Sequence, residues 1–199
     1  MRIISGKFRG RSITPPRNLR ARPTTDFAKE NLFNVLNNYI DFEEVDVLDL
    51  FAGTGSVSYE FASRGARSIT SVEINTVHYN FIRQTAKSLG IDNMYPVKAN
   101  VFLYLKSCSK RFDIIFSDAP YDLEGSEKVV DMVLDGELLN DDGLFIFEHS
   151  AQQDYSDHKY FWQARNYGSV HFSMFTKNNE DDQEAEVVSE VAEAGSGEQ

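Results

Sequence analysis

The sequence predicts an α/β fold. We expect a doubly wound, mostly parallel, seven-stranded Rossmann-like sheet with an antiparallel last strand, preceded by an N-terminal β-ribbon. Three observations predict it. Between residues 45 and 148, five short apolar runs of strand length alternate with stretches of helical periodicity. The first of these runs ends in a glycine-containing turn, as ligand-binding sheets of this class do. The chain then closes on Tyr160–Arg165 and Ser169–Thr176, joined by Asn166-Tyr167-Gly168, which reads as a hairpin. A length of 199 residues, 41% of them hydrophobic and 13% aromatic, supplies the core of one domain.

Taken in order, Arg2-Ile3-Ile4 and Arg11-Ser12-Ile13 are two strand-like pieces around a turn holding Gly6 and Gly10. Pro15, Pro16 and Pro23 break any regular element after them. From Thr24 the spacing of Phe27, Leu32, Val35, Leu36 and Ile40 predicts a helix, with Thr24, Thr25 or Asp26 as its N-cap. Val45–Phe51 is a buried strand and Val57–Arg64 a helix stopped by Gly65. Ser68–Glu73 is the next strand, and Asn75–Leu89 a helix stopped by Gly90. Tyr95–Ala99, a helical stretch to about Ser107, Phe112–Asp118, a loop and helix to about Leu139, and Leu144–Glu148 complete the alternation. Parallel strands joined by helices imply right-handed crossovers and a sheet covered on both faces. We divide the chain into a basic extension (1–22), the α/β domain (23–177) and an acidic tail (178–199) expected to be disordered.

The net charge of −11 conceals this division. Residues 1–22 carry seven cations (Arg2, Lys7, Arg9, Arg11, Arg17, Arg20, Arg22) and no acid, whereas residues 178–199 carry eight acids and no base. The basic end, not the average, indicates where a polyanion would bind. Cys108 is the single cysteine, and no Cys/His group has zinc-ligand spacing, so no disulfide or metal is expected. The N-terminus turns polar too early for a signal peptide, and no apolar run approaches membrane-spanning length. A soluble, cytoplasmic, monomeric protein is expected.

Ligands of such sheets bind at the C-terminal strand ends, and three ends carry chemistry. The first is Asp49-Leu50-Phe51-Ala52-Gly53-Thr54-Gly55. The third glycine of the dinucleotide fingerprint is missing, with Ser58 in its place, and the acid Asp49 would repel a pyrophosphate. An acid here suits a cofactor with a positive centre, and S-adenosylmethionine fits better than a nicotinamide dinucleotide. The second is Glu73, one strand–helix–strand unit further on, placed for ribose hydroxyls. Asn100 closes the third strand and is either an adenine contact or a helix cap.

The third is Asp118-Ala119-Pro120-Tyr121. An exocyclic base amine delocalises its lone pair into the ring and is a poor nucleophile. Asp118 and a backbone carbonyl, accepting its two N–H bonds, would turn that lone pair toward a methyl donor. Tyr121 would stack on the base, worth about 1–3 kcal/mol. His78, His149, His158 and His171 form no triad or metal set, and Glu148 ends its strand at the same edge.

In this order, the Asp49–Gly55 loop, Glu73 and Asp118–Tyr121 resemble a class I S-adenosylmethionine-dependent methyltransferase acting on base amines. Arg2-Ile-Ile-Ser-Gly-Lys-Phe-Arg-Gly-Arg11, Arg22-Pro-Thr-Thr-Asp26, Glu30-Asn-Leu-Phe-Asn34 and Ser63-Arg-Gly-Ala66 narrow the resemblance to the RsmD family over about residues 1–177. That resemblance implies methylation of guanine N2 in 16S ribosomal RNA, with the small ribosomal subunit or its RNA as partner. It implies cofactor contacts from Asp49, Phe51, Ala52, Gly53, Gly55, Glu73 and Asn100, and from Thr24 at the methionine end. It makes Arg2, Lys7, Arg9, Arg11, Arg17, Arg20 and Arg22 the RNA-binding set. Five phosphate contacts among them would give a log K against log salt slope of about −3.5. The alternatives are an adenine-N6 or other base-amine methyltransferase, or a catalytically silent RNA-binding or ribosome-assembly factor. Two residues depart from the family pattern. Ala119 stands where a second proline is usual, at a cost of about 0.4–1 kcal/mol in rigidity, and Asn100 stands where Asp is common.

Overall fold

The computed structural model describes residues 1–16, 19, 25–120 and 123–178. The expected Thr24 contact, the cations Arg17, Arg20 and Arg22, Tyr121 and all but the first residue of the acidic tail lie outside them.

Helix α1 spans Asp26–Leu36, and of the three candidate caps Thr25 does the capping, its side chain accepting from the Ala28 amide. Strands β1 (Asp46–Leu50), β2 (Ser68–Glu73), β3 (Met94–Lys98), β4 (Phe112–Asp118) and β5 (Leu139–His149) alternate with α2 (Ser56–Ser63), α3 (Thr76–Leu89), α4 (Val101–Ser107) and α5 (Lys128–Leu134). The hairpin β6 (Phe161–Tyr167) and β7 (Val170–Thr176) follows. The sheet order is β3-β2-β1-β4-β5-β7-β6. All pairs from β3 to β5 are parallel, and β7 is antiparallel to both β5 and β6. Strand β7 reverses because a two-residue hairpin turn can only return the chain antiparallel. Strand β5 begins earlier than its apolar run suggests. The polar residues Asn140–Asp142 pass through a register irregularity opposite Phe112–Ile114 before the apolar part pairs.

Two apolar layers bury the sheet. Leu32, Phe33, Phe61 and Ile82 of α1, α2 and α3 pack on Val47, Ile114 and Phe172. On the other face, Leu105, Val129 and Val133 of α4 and α5 pack on Leu48, Ile115 and Phe145.

The expected N-terminal ribbon is reduced to one antiparallel bridge, Arg2↔Ser12, extended by the bonds Ile3 N to Arg11 O and Ile13 N to Met1 O. It is too short for a free-standing ribbon because its hydrogen bonding is spent on the domain. The arm runs alongside α2. Buried Glu60 accepts from the Ile4 and Ser5 amides at 2.8 and 3.1 Å, and Ser63 O accepts from the Lys7 amide at 2.7 Å. Gly6 sits at φ 77°, and a Cβ there would lie 1.8 Å from Ser63 O. Only glycine fits. Ile3 and Ile13 are buried in the same core as α1 and α2, while Arg2, Lys7, Arg9 and Arg11 point to solvent. The Ser-Gly and Ser63-Arg-Gly motifs, distant in sequence, are the two halves of one docking contact.

Candidate active site

The loaded strand ends meet at one sheet edge because parallel strands place their C-termini together. Leu50 lies level with Val72 on β2 and Ser117 on β4. The next residues, Glu73 and Asp118, therefore flank Phe51 from either side, with backbones about two strand spacings, or 10 Å, apart.

Between them the glycine loop is wound in left-handed conformations at Phe51 (φ 58°), Gly53 (φ 55°) and Gly55 (φ 81°). At Phe51 this is strained backbone. The loop is held at both ends: Ala52 N donates to Val72 O at 3.0 Å, and Gly55 N to Ala52 O at 2.7 Å. A Cβ on Gly55 would meet the buried Tyr59 ring at 2.9 Å, so the loop can rest on α2 only without a side chain there.

Asp49 is buried beneath this loop. Ser58 Oγ donates to its Oδ2 at 2.5 Å, and Ser71 Oγ lies 2.7 Å from Ser58 Oγ. Burial pushes the Asp49 carboxyl up to about 7, against the Ser58 hydrogen bonds and with a smaller contribution from the Glu73 charge. Ser58, the residue that breaks the dinucleotide fingerprint, thus ties β1 to α2.

Glu73 is buried and accepts from Gly53 N at 2.8 Å through Oε2 and from Asn75 N at 2.7 Å through Oε1. With about four lone-pair positions on a carboxylate, it fixes the loop and α3 and keeps acceptor capacity. Asn100 caps α4, its Oδ1 accepting from Leu103 N at 3.2 Å, which leaves the amide nitrogen as the group suited to a ligand.

Asp118 ends β4 level with Glu148 on β5. Ala119 is buried among the α4–α5 core residues, and Pro120 is exposed, its carbonyl accepting from Leu123 N at 2.9 Å.

Two features escaped the sequence reading. Ile74, directly after Glu73, is 59% exposed, an apolar surface at the mouth of the edge. Its signal is an isoleucine where the turn after a strand-end acid is ordinarily polar. His149 is buried, with Nε2 2.8 Å from Ser173 Oγ and Nδ1 2.9 Å from Ser150 O, joining the end of β5 to the middle of β7. Burial pushes its pKa down, keeping the imidazole neutral. Among the described residues no group of three or more His, Cys, Asp and Glu could hold a metal ion, and no helix is long and apolar enough to cross a membrane.

A family model described as Conserved hypothetical protein 95 matches residues 1–176. The chain belongs to this family, that of RsmD. Among relatives of this RsmD-family chain is Ribosomal RNA small subunit methyltransferase D of Buchnera aphidicola subsp. Baizongia pistaciae, 31% identical over 148 residues, covering 74% of this chain and 75% of the relative. The solved Escherichia coli protein yhhF superposes with a TM-score of 0.76 at 27% identity, covering 88% of this chain and 96% of that one. At the level of fold alone, SMU.776, solved complexed with SAH, matches with a TM-score of 0.60 at 21% identity over 74% of this chain and 49% of that one. The fold of this RsmD-family chain is that of S-adenosylmethionine-dependent methyltransferases.

Proposed function

We propose that this chain transfers the methyl group of S-adenosylmethionine to the exocyclic N2 amine of a guanine in 16S ribosomal RNA. The observation that carries the reading is the placement of Glu73 and Asp118 on the two sides of one glycine loop, with a basic arm anchored along the helix that the loop opens. The family relative named as a small-subunit ribosomal RNA methyltransferase supports the same substrate class.

The cofactor supplies an electrophilic methyl group on a positively charged sulfur. Glu73 accepts from the ribose hydroxyls, Asn100 donates to the adenine edge and Ile74 packs on the adenine. Gly53 and Gly55 allow close backbone approach. Asp49, beneath the loop, favours the positive centre, and Phe51 and Ala52 line the loop, with Thr24 at the methionine end. On the acceptor side, Asp118 and the Ala119 carbonyl take the two amine N–H bonds and direct the nitrogen lone pair at the methyl carbon. S-adenosylmethionine, when bound, would supply the methyl group to that nitrogen, and Asp118 would take the proton the amine gives up and pass it to solvent. Pro120 shapes the turn and Tyr121 stacks on the flipped base. Arg2, Lys7, Arg9 and Arg11, with Arg17, Arg20 and Arg22, take RNA phosphates. The domain (23–177) performs the chemistry, the extension (1–22) binds RNA, and the acidic tail (178–199) keeps the protein soluble. The protein acts as a cytoplasmic monomer without a metal.

The test is methyl-labelled S-adenosylmethionine with small-subunit RNA, naked and as assembled particle, followed by mapping of the modified base. Label on guanine N2 is expected. Label on adenine, or in DNA alone, overturns the reading.

A further inference from the structure

The face between α1 and β6 has no part in the chemistry above, yet it carries the most exposed aromatic rings of the molecule's described surface. Strand β6 is antiparallel to β7, which is antiparallel to β5. It therefore runs with the parallel strands and ends, at Tyr167, on the edge that holds Asp118 and Glu73. Helix α1 begins at the same edge. The Phe27 ring, 64% exposed, meets Tyr167 edge-on at 6.3 Å. Past the far end of α1, Tyr39, 57% exposed, meets Trp162 edge-on at 4.7 Å.

The surface between these two pairs is polar but mostly uncharged. Asn31 and Asn34 continue from Phe27 at i+4 and i+7 down one side of α1. Arg165, two residues before Tyr167, shares its face of β6, and its Nη1 donates to the Ala164 carbonyl. Glu30 borders this row from the side of α1. The basic arm lies next to it, since the Arg2 amide donates to Asp26 Oδ1 at 3.3 Å.

Continuity with the cationic arm, docked beside Phe27 through Asp26, favours a polyanionic occupant over a protein one. Separate rings divided by amides and a guanidinium fit unpaired nucleotides, whose bases stack, whose edges hydrogen-bond and whose phosphates pair with arginine. Strands β5, β7 and β6 place Tyr167 about three strand spacings, or 14 Å, from Asp118.

We infer that the α1–β6 face is a second RNA contact, which receives unpaired nucleotides on one side of the target base. Phe27, braced edge-on by Tyr167, stacks on a base, Asn31 reads a base edge and Arg165 takes a phosphate. This rests on the RNA reading above and extends it: the arm and this face grip the strand on the α1 side of the catalytic edge.

The test compares the full-length protein with a Phe27→Ala/Tyr167→Ala variant and with Arg165→Gln, using naked small-subunit ribosomal RNA as the probe. The double variant should bind RNA at least about tenfold more weakly, with KM for RNA raised in proportion and kcat and cofactor affinity unchanged. Arg165→Gln should flatten the log K against log salt slope by about 0.7. Variants with unchanged thermal midpoints that bind RNA like the parent would overturn the inference. So would a parent dimer that the double variant dissolves without loss of RNA affinity, because the face would then hold a second copy of the chain. Binding is read without turnover. A parent protein that binds RNA but methylates nothing would therefore sink the proposed reaction and leave this comparison decisive.

Discussion

Asp49 presents the sharpest electrostatic question in the site, because it is an acid buried under the loop proposed to receive a cation. Its pKa of about 7 against an ordinary 3.8 means that the folded chain holds this proton more tightly than the unfolded chain. The stability it contributes is complete below about pH 4 and is lost as pH rises through 7. A positive sulfur near the loop favours the ionised form, so cofactor binding should release a proton. We expect affinity for S-adenosylmethionine to rise between pH 6 and 8, with calorimetric heats that depend on the buffer's ionisation enthalpy. Asp49→Asn should abolish both dependences; a buffer-independent heat in the parent would remove Asp49 from cofactor binding. At Asp118 the expected signature differs. Asp118→Ala should cut kcat by about 10²–10³ through loss of an acceptor for the amine, and leave cofactor affinity within about twofold in direct titration. An equal loss of cofactor affinity would place Asp118 in the cofactor site instead.

At the scale of elements, the arm and the cofactor loop are joined through one buried ion cluster. Lys29 of α1, 1% exposed, donates from Nζ to Arg2 O at 2.7 Å and to Ser56 Oγ at 3.2 Å, and lies 3.8 Å from Glu60 Oε2. Glu60 in turn takes two arm amides and the Arg64 Nε at 3.0 Å. Burial lowers the Lys29 pKa and Glu60 opposes that shift, as in a pair that must be kept together. Lys29→Met leaves Glu60 short of a partner and should cost about 3–5 kcal/mol in chemical denaturation. Gly6→Ala tests the same docking from the other side. The left-handed backbone alone costs about 1–3 kcal/mol for a residue with a side chain, and the clash with Ser63 O adds to it. Amide exchange at Lys7 and Phe8 should accelerate first, since these amides bond to Ser63. Unchanged protection there would refute the docking.

For the whole molecule, the sheet closes at Thr176 with β7 paired to both neighbours, and Asn178 after it donates from Nδ2 to Asp142 Oδ1 at 2.6 Å. Removing residues 179–199 should leave the thermal midpoint unchanged and methyl transfer within about twofold; a large fall in either would make the tail part of the machinery. The alternation of strand and helix was legible because each parallel strand is buried on both faces and reads as a continuous apolar run. The strand-end residues were legible for the same reason, since parallel topology sends every C-terminus to one edge. Glu73 and Asp118 could thus be placed without coordinates. The pairing of residues 2–4 with 11–13 was legible, but their docking was not, because alternation marks residues able to pair and does not show whether neighbouring amides bond to Glu60 and Ser63. The burial of Lys29 and Glu60 was not legible, since a single sequence does not show what packs over a helix face. The Phe27–Tyr167 pair joins residues 140 positions apart, beyond any local pattern. The sequence by itself determined the order of elements and the sheet edge at which Glu73 and Asp118 end their strands, because periodicity and strand polarity are local properties of the chain. The tertiary structure alone decided that the basic arm is docked, that Asp49 is buried and that aromatic rings from α1 and β6 meet, because burial and long-range contact depend on how the layers pack.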